Sequence, residues 1–141
     1  MKKILVPAIL LLAACKKEDT TVNRSSYEGK WYINQITDKE YFLENGDTTF
    51  TKFNVANPGS TDFIDFQVGN QGRGDVVMES TYGSYTFPYE AVTQSFFKMD
   101  GRICEITNLN DSSLHFNSLH FDPVTIEDKI LVRQTFYSLK R

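Results

Sequence analysis

Apolar and polar positions alternate in short runs from residue 30 to the C-terminus. The runs are rich in Phe, Tyr, Val, Ile and Thr, which favour strands, and turn-forming Gly, Asn, Asp and Pro residues separate them. No window of about 11 residues or more has the i, i+3, i+4, i+7 spacing of an amphipathic helix. Residues 39–44 fit either a helical turn or part of the second strand. The pattern predicts strands at residues 30–38, 48–55, 61–68, 75–82, 84–90, 93–99, 102–108, 112–121 and 129–139.

Alternation within these runs predicts which side chains share a face. Trp31, Ile33 and Gln35 are expected on one face of the first strand, and Cys104 shares a face with Ile106 later in the chain. Adjacent hairpins with short loops favour an antiparallel up-and-down meander. Eight or more such strands close into a barrel or fold into a sandwich, because closure removes unpaired edges. The predicted fold class is all-β.

The N-terminus has the layout of an export signal. Lys2 and Lys3 precede an apolar run at residues 4–12 that is far shorter than the ~20 residues of a membrane-spanning helix. The run ends in Leu-Ala-Ala-Cys, which resembles the bacterial lipobox, in which Cys15 receives the lipid. Acyl chains such as palmitate would anchor the protein, because each buried CH₂ contributes ~0.8 kcal/mol. The alternative is an ordinary secretory signal with an incidental cysteine.

The predicted organisation is therefore a signal peptide at residues 1–14, a lipidated Cys15 with a flexible tether at residues 15–27, and a barrel domain at residues 28–141. Lys17-Glu18-Asp19, close to the cysteine, resembles the surface-export signal of Bacteroidetes lipoproteins. The expected location is the outer membrane, through the lipid anchor, and its outer face is one alternative. Loss of Lys2 and Lys3 lowers the formal charge from −3 by two, to −5. An acidic domain argues against nucleic acid as a partner.

Gly29-x-Trp31 at the start of the first strand, followed by a strand meander, resembles the opening motif of the lipocalins. Together with the lipobox, the chain is similar to the lipocalin-like lipoproteins of Bacteroidetes over about residues 27–141. The resemblance implies a barrel of about eight strands in which Trp31 packs across the closed end. It also implies a late basic residue against the indole ring. Arg133 and Arg141 are the candidates, and Arg141 is preferred because it follows the last strand.

The resemblance further implies a small hydrophobic ligand in the barrel mouth. Faces shared on central strands suggest a pocket formed by Phe66, Met78, Tyr85, Phe87 and Tyr89. The same aromatic residues could instead fill the barrel, which would favour an accessory lipoprotein that acts through protein–protein contacts. A contiguous apolar cavity of ~300 Å³ or more would favour binding. A packed interior with an exposed aromatic patch would favour the accessory role.

The sequence contains no motif that points to catalysis. No Gly-x-Ser-x-Gly elbow or phosphate-binding glycine loop occurs, so we expect neither an enzyme nor a cofactor. His115 and His120 are five residues apart on one predicted strand, which places them on opposite faces and argues against a shared metal. If Cys15 is lipidated, Cys104 has no intrachain partner, and we expect a buried, unreactive thiol.

Overall fold

The computed structural model describes residues 27–67, 69–124 and 129–141. The sequence-predicted signal, Cys15 and nearly all of the tether therefore lie outside the described residues. The described chain is all-β, apart from a 3₁₀ turn at Asn70–Gly72, and the predicted fold class is confirmed. Its strands are β1 Gly29–Glu44, β2 Asp47–Ala56, β3 Phe63–Gln67, β4 Arg73–Ser80, β5 Gly83–Ala91, β6 Phe96–Met99, β7 Arg102–Leu109, β8 Ser113–Val124 and β9 Lys129–Lys140.

Eight of these strands form a closed antiparallel barrel. β3 to β9 run as a meander, and β1 closes the barrel by pairing with β3 on one edge and β9 on the other. β2 is an extra strand, because it pairs with β1 alone, on the edge that β3 leaves free beyond Tyr32. No helix in the described ranges is long and apolar enough to cross a membrane.

Residues 39–44 are neither a helical turn nor part of the second strand, because they continue β1 to Glu44. Large apolar side chains lie on both sides of this segment, with Tyr41 on one face and Phe42 on the other. This two-sided pattern hides the simple alternation that marks a half-buried strand. The extension matters because it gives both β2 and the first half of β9 a strand to pair with.

The far halves of β1, β2, β8 and β9 continue past the body of the barrel. β7 pairs with β8 only as far as Leu119, and β3 pairs with β1 only as far as Tyr32. We call the continuation the lip: residues 39–44 of β1, 47–53 of β2, 119–124 of β8 and 129–134 of β9.

A bulge in β1 decides which residues face the barrel interior. Ile33 pairs with Leu139 of β9, but Gln35 pairs with Ser138, so Asn34 is the extra residue. The bulge exchanges the two faces of β1. Gln35 was predicted to share a face with Trp31 and Ile33. This is wrong, because beyond the bulge Ile36 packs against the core and Gln35 is exposed.

Aromatic side chains fill the end of the barrel that holds Trp31. The Phe97 ring lies 5.5 Å from the Phe66 ring and 5.1 Å from the Phe116 ring, and both contacts are edge-on. Tyr27 packs on Phe66 and Phe97 and is fully buried. Tyr27 was assigned to the tether, but it belongs to the core. Burial of a Phe or Tyr removes 150–250 Å² from water, so this cluster is a large part of the stabilising apolar area.

Candidate functional site

A cavity of about 290 Å³ opens at the lip end of the barrel, above the aromatic core. It lies among six strands, because the inward positions of β4 to β9 converge there. The cavity is lined by Met78, Tyr85, Phe87, Met99, Asp100, Arg102, Ser118 and Tyr137. This volume lies just below the ~300–1,000 Å³ range of small-molecule pockets.

Three of the five sequence-predicted pocket residues line the cavity: Met78, Tyr85 and Phe87. The Tyr85 and Phe87 rings are stacked, with centroids 6.2 Å apart and planes within 8° of parallel, and they form one apolar wall. Phe66 and Tyr89 were predicted beside them but are buried in the core beneath the cavity. They share the inward face, but they lie deeper along their strands.

The depth of Tyr89 has a local cause in Gly74, its partner on β4. A Cβ atom on residue 74 would lie 2.7 Å from the Tyr89 ring. Glycine therefore leaves room for the ring to lie across β4 and plug the barrel. Sequence alternation shows that Tyr89 points inward, but it does not show this close approach.

The rim residues Met99, Asp100, Arg102, Ser118 and Tyr137 were not predicted. Arg102 could have been predicted, because alternation along β7 places it on the same inward face as Cys104. The Asp100-Gly101 turn joins β6 to β7 at the rim of the cavity. The φ angles are positive, 52° at Asp100 and 71° at Gly101. Ser118 and Tyr137 come from β8 and β9, which only the closed barrel brings to this point.

The rim contributes one cation and buried neutral groups. Arg102 forms no ion pair with any described residue, so its guanidinium is available at the cavity mouth. Burial raises the pKa of the Tyr137 hydroxyl to about 12, which keeps it protonated and able to donate. Below the cavity, burial raises the pKa of the Cys104 thiol to about 11, so this thiol is not a nucleophile at neutral pH.

Trp31 and Arg141 meet at the closed end of the barrel. The Arg141 guanidinium lies 4.0 Å from the centroid of the Trp31 ring, and its Nη2 donates to the Glu28 carbonyl at 2.8 Å. The indole Nε1 donates to the Tyr27 carbonyl at 2.8 Å. Gly29, which lies between Tyr27 and Trp31 in the chain, has a φ of 97°, a backbone conformation that residues other than glycine rarely adopt. Arg133, the other sequence candidate, contacts Asp122 in the lip.

The two histidines lie apart, on opposite faces of β8. His115 Nε2 lies 3.3 Å from the Ser138 hydroxyl on the outer face, whereas His120 Nε2 lies 2.8 Å from the Asp122 carboxylate on the inner face. Within residues 27–67, 69–124 and 129–141, no three His, Cys, Asp or Glu side chains are grouped to hold a metal ion.

Comparison with protein-family models, curated proteins and solved structures finds no match to this chain. The described residues form a lipocalin-like barrel. Aromatic side chains fill one end, and a small, mostly apolar cavity lies at the other. Such a barrel is compatible with the binding of one small ligand.

Proposed function

We propose that the protein is a lipid-anchored, lipocalin-like protein of the bacterial outer membrane that binds a small hydrophobic ligand in the barrel mouth. The observation that carries the proposal is the 290 Å³ cavity with the stacked Tyr85 and Phe87 rings as one wall. The core beneath is fully packed, so the ligand is small and enters only the upper barrel. The role is binding, not catalysis.

The rim restricts the chemistry of this ligand. Its apolar part contacts Met78, Tyr85 and Phe87, and its polar end meets Arg102 and the Tyr137 hydroxyl. An uncompensated guanidinium favours a carboxylate, sulfonate or phosphate. Asp100 on the same rim disfavours a second negative charge on the ligand.

The anchor proposal rests on residues 12–15, whose Leu-Ala-Ala-Cys resembles the lipobox. Fractionation of the full chain expressed in a Gram-negative host tests it. We expect the wild-type chain in the membrane fraction, with a diacylglycerol mass on Cys15, and Cys15→Ser without either property. Membrane association of Cys15→Ser equal to wild type would contradict the anchor.

Native mass spectrometry of protein purified gently from its own host tests the ligand. We expect a reproducible added mass that disappears on denaturation. The variant Met78→Trp fills the cavity and should lose that mass. The control Ile103→Trp adds the same side chain on the outer face of β7, where residue 103 is exposed, and should keep it. A clean ligand-free mass, or an added mass that survives Met78→Trp, contradicts binding in this cavity.

A second candidate function is that of an accessory lipoprotein that acts through protein–protein contacts. The specific observation is that the outer face of the lip exposes Phe50 by 68 %, Phe53 by 65 % and Phe121 by 57 %. An aromatic patch of this kind commonly marks a contact site. Phe121→Ser would impair this role and leave the native ligand mass unchanged, whereas Met78→Trp would do the reverse.

A further inference from the structure

The lip has two chemically different faces. The inner face continues the barrel interior and carries the polar residues Glu40, His120 and Arg133 side by side on adjacent strands. The outer face is apolar: Tyr41 and Phe50 are neighbours with ring centroids 5.7 Å apart, and the exposed Phe53, Phe121 and Ile130 extend the surface. The described residues leave this outer face uncovered, and an exposed apolar surface of this kind commonly marks an interaction site.

A bulge in β2 concentrates the two most exposed phenylalanines on this face. β1 residues Tyr41 and Lys39, two apart, pair with Phe50 and Phe53, which are three apart, so one extra residue lies between them. Without the bulge, Phe50 and Phe53 would point to opposite faces. Lys39 of β1 lies on the same face as Phe53, with its Nζ 5.8 Å from the centroid of the Phe53 ring.

The bulge also makes the face pattern of β2 symmetrical about its centre. On one side of the centre Thr48 and Phe50 point outward, and on the other side Phe53 and Val55 do so. The inward positions mirror each other in the same way. An antiparallel copy of the same strand therefore places outward residues opposite outward residues. β1 also pairs with both halves of β2, so face matching alone does not select the partner; a second copy is favoured because it brings Phe53 opposite Phe50 twice.

The free edge of β2 is poorly protected against pairing. β2 is the end strand of the described sheet, with ten residues, a single lysine and no proline. Natural edge strands are usually short, or carry several charges or prolines, because an open edge can template a further strand. The bulge interrupts the ladder at its centre, so pairing would use the two flanking halves, residues 47–50 and 53–56.

We propose that two copies of the protein pair through antiparallel β2 strands, with Phe50 of each copy opposite Phe53 of the other. Such a twofold contact is isologous, which is the commonest arrangement in homo-oligomers. It gathers four phenylalanines on one face, and aromatic cross-strand pairs stabilise sheets. Asp47 meets Ala56 of the other copy, and the two Lys52 residues, which lie beside the axis, are each paired with Glu40 at 3.7 Å, which offsets their mutual repulsion.

The register of this pairing can be tested by single cysteines in the full chain. Thr51 lies beside the twofold axis, so the two Cα atoms of residue 51 lie about 6 Å apart, within the range of a disulfide. Thr48 lies seven residues away from its own copy, about 20 Å. Thr48→Cys is therefore a matched control for Thr51→Cys. The wild-type chain, with its own Cys15 and Cys104, gives the background.

After mild oxidation, we expect Thr51→Cys to give at least fivefold more covalent homodimer than Thr48→Cys or wild type. Adding Phe50→Lys should reduce that yield several-fold, whereas Tyr82→Lys, at a fully solvated turn outside the lip, should not. Both positions are exposed, so neither change removes core packing. Equal cross-linking at residues 48 and 51, a yield at the wild-type background, or no effect of Phe50→Lys would overturn the proposal.

Discussion

The contact of Arg141 with Trp31 should contribute measurably to stability. The guanidinium lies 4.0 Å from the centroid of a fully buried indole, and a cation–π contact contributes about 0.5–2 kcal/mol. The same side chain donates 2.8 Å to the Glu28 carbonyl, and a hydrogen bond from a charged group contributes about 1.5 kcal/mol. Arg141→Met keeps the apolar stem and removes both interactions. We expect it to lower the free energy of unfolding by about 2 kcal/mol.

Urea unfolding followed by fluorescence measures this loss, since Trp31 is the only tryptophan. Arg133→Met is the matched control, because Arg133 forms only an exposed ion pair with Asp122 in the lip, which contributes about 0–1 kcal/mol. Arg141→Lys should lose about 1 kcal/mol, because an ammonium cannot both stack on the ring and bond the carbonyl. A loss below about 0.5 kcal/mol for Arg141→Met, or equal losses in both methionine variants, would refute this reasoning.

Three further predictions concern the aromatic core, the buried Cys104 thiol and Tyr137 hydroxyl, and the buried Asp62 carboxylate. Phe116→Ala removes a ring at the centre of the aromatic cluster and should lower the free energy of unfolding in urea by about 3–5 kcal/mol, whereas Tyr82→Ala, at a 91 % exposed position, should change little. The stability that Cys104 and Tyr137 contribute should be fully present below pH 9 and be lost as the pH rises toward 12. Burial raises the pKa of Cys104 from 9.0 to about 11 and of Tyr137 from 10.0 to about 12, so the unfolded chain loses these protons first. Thermal unfolding at pH 8 and 11 measures this loss, and equal melting temperatures at the two pH values would contradict it. Asp62→Ala should lower the free energy of unfolding in urea by about 1–3 kcal/mol, because it removes a buried carboxylate that accepts hydrogen bonds from the Gly59 N–H and the Thr81 hydroxyl. An unchanged free energy of unfolding would contradict these bonds.

The strands were predictable because their boundaries depend on local chemistry. Turn signals such as Asn45-Gly46 and Asp100-Gly101 separate the elements, and each of these four residues has a positive φ angle. Most predicted strands overlap the observed ones over nearly their whole length. The exceptions depend on pairing between distant segments. Residues 39–44 are a strand because β9 lies beside them, about ninety residues later in the chain.

The site was predictable only where strand alternation decides it. Alternation places Met78, Tyr85 and Phe87 inward, and they line the cavity. It gives no depth along the barrel, so it could not separate them from Phe66 and Tyr89 in the filled core. Depth depends on barrel stagger and on close approaches such as that of Tyr89 to Gly74.

Aromatic side chains are packed together at one end of the barrel and line a cavity at the other. The aromatic composition alone therefore could not distinguish a filled barrel from a hollow one. Around Trp31, rings in edge-on contact exclude a ligand and supply the stabilising burial. At the lip, Tyr85 and Phe87 stack along the wall and leave space in front of them. The outer lip exposes Phe50 and Phe53, which no described residue covers. Phe50 and Phe53 lie outside the core cluster, so their substitution should have little effect on the stability of the barrel, whereas Phe87 packs against that cluster and contributes to it as well as to the cavity wall.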